Sequence, residues 1–130
     1  MVCFDTSHMI ALIRRDANAE KKLEEYVASE AKISTTPITA CELFKGAYRS
    51  RKKENVQKVR KLLHHLEILQ FSVDACERYG KLASELQLKG SPIGDPDTMI
   101  ASIALTHGEP LLTLDKEHFE RVPGLMIETW

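Results

Sequence analysis

The chain has 130 residues, a formal net charge of −1, 43% hydrophobic residues and 28% charged ones. That is the length of one domain (residues 1–130) with room for a real core, and the balance is ordinary for a soluble globular protein. No run of about 18 apolar residues exists to span a membrane, and MVCFDTSHMIALIRRD places its basic pair after its apolar run, the reverse of a secretory signal.

VCF reads as a short buried strand ended by Asp5, and residues 7–14 as a helix. Asp16 and Asn18 interrupt the pattern before a second helix over 18–30, with Leu23, Tyr26 and Val27 on one face. KIST is a second strand. Thr36 and Pro37 signal an N-cap and first turn, so a helix runs from Pro37 to about Ser50 and carries Glu42. The next helix, about 53–66, has Val56, Val59, Leu62, Leu63 and Leu66 at helical spacing. EILQF is a third strand, and Ser72 caps a helix to about Leu88. After the loop LKGSPIG, Asp95–Pro96 starts a helix to about Thr106, which Asp95 can cap. HGEP turns into the strand LLTL, Asp115 caps a short helix to Glu120, and RVPG leads to a last strand, LMIET.

Strands alternating with helices, and no two-residue hairpin turn, imply an α/β fold with a mainly parallel sheet flanked by helices. Such sheets bind ligands beyond the carboxyl ends of their strands. Asp5 and Asp115 follow strands, and Glu42 and Asp97 lie early in helices entered from loops. Four carboxylates gathered there are costly unless a hard cation neutralises them, so the pattern points to a divalent-metal site and phosphate-ester chemistry.

Each acid also has a plainer explanation. Asp5 and Asp115 are good helix caps. Asp97 interacts favourably with its helix N-terminus, although Ile100, Ala101 and Ala104 put it on the buried face. Glu42 lies on a different side of its helix from Ala40, Leu43, Phe44 and Ala47, which suits an exposed Glu paired with Lys45. Gly46, costing up to about 1 kcal/mol inside a helix, would keep the Glu42 face open. His8 and His118 stand near Asp5 and Asp115 without distinguishing spacing. Cys3, Cys41 and Cys76 lack metal-ligand spacing and read as buried thiols of a cytoplasmic protein. Phosphate-loop, dinucleotide and serine-hydrolase motifs are absent.

Residues 45–61 hold eight basic side chains against one acid, whereas residues 62–130 hold five against eleven. The basic stretch, with Arg49, Arg51, Lys52 and Lys53 at its centre, is either a solvated helix surface or a contact surface for a polyanion or an acidic partner segment.

The segments VCFDTSHMIALI, ISTTPITACELFKGAYRS, GSPIGDPDTMIASIAL, EPLLTLDKEHFERVPGL and IETW resemble the PIN domain, and more narrowly the VapC-type toxin ribonucleases of toxin–antitoxin pairs. The likeness spans nearly the whole chain in order. It implies a three-layer sandwich around a central parallel sheet, with Asp5, Glu42 and Asp97 as principal acids and Asp115 as a more variable fourth. Thr6 and Thr113 match small hydroxyl positions, and Asp95 matches a position for an additional acid, either a second-metal ligand or a helix cap. The resemblance further implies a Mg²⁺- or Mn²⁺-dependent endoribonuclease, a homodimer and a small antitoxin as inhibitor. Two other readings stay open: a PIN scaffold that only binds RNA or protein, and a phosphate-signalling receiver. The receiver would need an acidic pair after the first strand, where Thr6 follows Asp5.

Overall fold

A computed structural model describes residues 1–130. Its five strands are β1 (Val2–Phe4), β2 (Ile33–Thr35), β3 (Glu67–Ile68), β4 (Leu111–Leu112) and β5 (Ile127–Glu128). They form one sheet in the order β3-β2-β1-β4-β5, every pair parallel. The helices between them are α1 (Thr6–Ile13), α2 (Ala17–Ala28), α3 (Pro37–Arg49), α4 (Lys53–His64), α5 (Val73–Leu88), α6 (Asp95–His107) and α7 (Lys116–Phe119).

Side chains alternate across a strand, and this divides the interior in two. Val2 and Phe4 of β1 and Leu112 of β4 face a core shared with Met9, Leu12, Leu43, Val56 and Val59 from α1, α3 and α4. Cys3 and Leu111 face the opposite core, built from Leu82 and Leu86 of α5 and Ile100, Ala101, Ile103 and Ala104 of α6. Helices therefore cover both faces, giving the expected three-layer sandwich. The strands at its centre, β1 and β4, are buried throughout.

Several elements differ from the sequence reading. β3 keeps two residues of EILQF: after Leu69 N–H donates to the Thr35 carbonyl, the ladder along the three-residue β2 ends. β5 is likewise shorter than LMIET. Val27 stands 61% exposed, so only Leu23 and Tyr26 of the expected α2 face pack inward. Cys3 alone is a buried thiol; Cys41 and Cys76 are exposed, because they fall on the solvent sides of α3 and α5.

Thr36 and Ser72 cap α3 and α5 as expected, accepting from the backbone N–H of Thr39 and Ala75. Asp95 does not cap α6. Gly94 occupies that position at φ +90°, a conformation glycine adopts without steric cost. Asp95 instead lies in the first turn, exposed, accepting a hydrogen bond from the Tyr79 hydroxyl at 2.9 Å.

Candidate metal and phosphodiester site

Parallel pairing points β1 and β4 the same way, so the residues after them emerge at one sheet edge. Asp5 leaves β1 there, and Thr113 and Asp115 follow β4. Asp5 occupies the N-cap position of α1 but makes no side-chain cap bond. Its Oδ2 accepts from the Thr113 hydroxyl at 2.6 Å and the Ser7 hydroxyl at 3.1 Å. Its Oδ1 is buried without a partner. Burial pushes the carboxyl up to about 6, with the charge of Asp97 adding to it and the hydroxyl of Thr113 and the backbone N–H of Thr6 opposing it.

The same hydroxyls fix the path to Asp115. Thr113 Oγ1 accepts from the Asp115 backbone N–H at 2.9 Å, and Ser7 Oγ from that of Leu114 at 3.0 Å. Asp115 also makes no side-chain cap bond to α7, so its carboxylate is not spent on the helix.

Glu42 is half-buried, and Lys45 forms no ion pair with it. The exposed-pair explanation fails because α1 crosses α3 on this side. Thr6 at the start of α1 donates its hydroxyl to Glu42 Oε1 at 2.7 Å. The Thr6 oxygen lies 3.0 Å from Thr39 Oγ1, which accepts from Thr36 Oγ1 at 3.3 Å. Each hydroxyl has one proton, so the chain runs in one sense, from Thr36 through Thr39 and Thr6 to Glu42. Thr6 directly follows Asp5, so this bond ties Glu42 to the end of β1 that carries Asp5.

Asp97, in the first turn of α6, meets a residue that sequence spacing did not single out. His118 Nδ1 is 2.9 Å from Asp97 Oδ2 and 3.1 Å from Asp115 Oδ2. The hydrogen bond to Asp97, aided by the two carboxylate charges, raises the His118 pKa. The available signal was the three-residue step from Asp115, which puts both on one side of a helical turn. Ser7 was legible only as part of D-T-S.

No Lys or Arg forms an ion pair with Asp5, Glu42, Asp97 or Asp115. Asp5 keeps one buried oxygen free, and carboxylates without a Lys or Arg ion pair to neutralise them fit a divalent cation. Asp97, Asp115 and His118 offer three donor atoms within 4.8 Å of one another.

Glu42 also lines a cleft of about 390 Å³ with Arg14, Gly46, Asn55 and Lys58. A Cβ on Gly46 would meet nothing within 4 Å, so the missing side chain leaves that wall of the cleft open. Arg51, Lys52 and Lys53 line a shallower adjoining hollow of about 200 Å³ that shares Ala47 with the cleft. Arg49 is exposed near the end of α3. Arg14 and Lys58 thus share the Glu42 cleft, whereas Arg49, Arg51, Lys52 and Lys53 sit at the α3–α4 turn.

Fold and site together define a parallel α/β sandwich with an acidic pocket over the carboxyl edge of its sheet. The PIN domain family model matches residues 2–125. The chain belongs to the PIN domain family and is of its VapC type. It is 35% identical to "Ribonuclease VapC2" of Rickettsia felis over 127 residues, covering 97% of this chain and 95% of that protein. It is 33% identical to the "tRNA(fMet)-specific endonuclease VapC" of Salmonella typhimurium, again over 97% and 95%. Among solved structures, VapBC2 from Rickettsia felis bound to a promoter DNA fragment superposes with a TM-score of 0.91 at 34% identity, covering 100% of this chain and 99% of the other. DNA-bound VapBC from Salmonella typhimurium gives 0.90 at 32% identity, with the same coverage.

Proposed function

We propose that the chain is a metal-dependent endoribonuclease, the toxin of a type II toxin–antitoxin pair, which hydrolyses RNA phosphodiester bonds in the cytoplasm. The observation that carries this reading is the group Asp5, Asp97 and Asp115 above one sheet edge, with no Lys or Arg beside it. Asp5, Glu42, Asp97 and Asp115 are the residues assigned to hold Mg²⁺ or Mn²⁺. A bound ion of this kind supplies an activated water and shields the charge that builds on the phosphate. The protein's own part is positioning. Thr113 and Ser7 hold Asp5, and Thr6 holds Glu42, so the carboxylates are set before RNA arrives. Asp95, engaged by Tyr79, receives no role in this assignment. The names of the relatives and of their VapBC complexes support a small cognate antitoxin as partner, and the family supports a homodimer.

The test is cleavage of total RNA and of initiator tRNA by purified protein. Internal cuts are expected with Mg²⁺ or Mn²⁺ and none with EDTA. Asp97→Asn and Glu42→Ala should each reduce the rate by roughly 10²–10³-fold, the range for losing one preorganised electrostatic group. Asp115→Ala should leave residual activity. RNA binding without any cutting by the metal-loaded wild type would make the chain a non-catalytic scaffold.

The basic groups bear on affinity. Arg14 and Lys58 beside Glu42, and Arg49, Arg51, Lys52 and Lys53 beyond them, are assigned to the RNA backbone. Phosphate contacts make binding salt-dependent. Replacing Arg49, Arg51, Lys52 and Lys53 by Gln should weaken RNA binding and flatten its dependence on salt, as read by filter binding from low to moderate ionic strength. Unchanged RNA affinity with weakened antitoxin binding would assign that surface to the protein partner.

A further inference from the structure

The donors at the open end of the acidic pocket are not all carboxylates. His118 Nδ1 stands 2.9 Å from Asp97 Oδ2 and 3.1 Å from Asp115 Oδ2. A single ring nitrogen thus faces two carboxylate oxygens, and it carries at most one proton to share between them. With Asp97 and Asp115, this nitrogen completes a group of three donor atoms within 4.8 Å of one another, close enough to share one ion.

A second observation comes from a different element. Asp5, 3% exposed at the end of β1, has one buried carboxylate oxygen with no hydrogen-bond partner. Asp97 is near enough for its charge to act on Asp5. Asp5 therefore adds an unsatisfied buried oxygen to the three donors of Asp97, Asp115 and His118. The His118 side chain is 39% exposed, so an entering ion can reach it.

Donor chemistry then sets the preference. Mg²⁺ is a hard ion that takes oxygen ligands and keeps much of its water. First-row transition ions accept imidazole nitrogen more readily, with affinity rising from Mn²⁺ along the series. We propose that His118 is a ligand beside Asp97 and Asp115, and that its nitrogen biases this pocket toward a first-row transition-metal ion over Mg²⁺. The assignment rests on the metal-pocket reading above.

Mn²⁺ is the probe. Pulsed electron paramagnetic resonance of Mn²⁺ bound to the wild type should show coupling to a directly bonded nitrogen, and His118→Gln should lose it. Calorimetric titrations with Mn²⁺ and with Mg²⁺ should give an affinity ratio that falls about tenfold or more in His118→Gln, comparable to the loss of a group that tunes a metal site. In His118→Glu, an oxygen donor should restore Mg²⁺ binding but not the Mn²⁺ preference. Bound Mn²⁺ that is lost in Asp97→Asn but shows no nitrogen coupling in the wild type would overturn the role of His118 and leave the acidic pocket standing. Absence of any Mn²⁺ binding by the wild type would overturn both. The spectroscopic readout needs no variant to fold and no RNA to be cut.

Discussion

Asp5→Asn is expected to reduce RNA cleavage by roughly 10²–10³-fold while making the metal-free protein more stable above pH 6. The two effects share one cause. The fold takes a carboxylate out of water, gives one oxygen two hydroxyl partners and leaves the other with none. The Asp5 carboxyl is consequently lifted from 3.8 to about 6. Because the folded value lies above the unfolded one, this group favours folding while it is protonated. That advantage is lost as pH rises from about 4 through 6, and above that the charged form costs about 3 kcal/mol, at about 1.4 kcal/mol per unit. Asparagine keeps the shape and cannot ionise. Urea unfolding in EDTA at pH 8 should therefore rank Asp5→Asn above the wild type. Adding Mn²⁺ should reverse the ranking, since an ion that binds only the folded state stabilises it by linkage. A variant as inactive as expected but no more stable without metal would mean that the buried carboxylate is better solvated than its contacts imply.

The layout that creates this cost was legible because strand and helix periodicities differ. VCF and PLLTL alternate with helical segments, which fixes a parallel sheet and puts Asp5 and Asp115 at its carboxyl edge. Glu42 was harder. Its own helix says it faces away from the α3 core, and that is correct as far as it goes. The partner that turns it inward, Thr6, is 36 residues away and is supplied by the crossing of α1 over α3. His118 was missed for a similar reason. One histidine in DKEHF has many possible surroundings, and only the approach of α6 to α7 brings Asp97 to it. The Asp–Pro signal leaves Asp95 open as a cap or a metal ligand, and Gly94 at φ +90° takes the cap position by moving the helix start back one residue. Short edge strands failed at their ends because β-propensity in EILQF and LMIET continues past the point where β2 and β4 stop offering partners.

His8 should impose the opposite pH dependence on the same protein. Its ring is fully buried, edge-on to both Phe4 and the C-terminal Trp130 at centroid distances of 4.4 Å. Nε2 lies 3.2 Å from the Ala19 carbonyl, which can only accept, so Nε2 carries the proton of the neutral ring. Nδ1 is buried with no partner, and a second proton there would place a charge in an apolar setting. Burial, with Lys22 adding to it, lowers the pKa from 6.5 to about 4. The unfolded chain then binds the proton more readily, so stability is lost as pH falls from about 6.5 to 4, by about 3 kcal/mol. Over nearly that same interval metal-free Asp5 contributes a gain of similar size. The metal-free wild type should thus show a shallow net response from these two groups. Separating them exposes each. Asp5→Asn should lose stability steeply on acidification from pH 6.5 to 4, and His8→Gln, which keeps a donor for Ala19 but does not titrate, should gain it. The double variant should lie between them in slope, near the wild type. Urea unfolding of all four proteins at pH 7, 5.5 and 4 in EDTA reads the slopes directly. Parallel curves for wild type and His8→Gln would show that the imidazole is protonated without penalty, and that the packing between Phe4 and Trp130 opens to admit water.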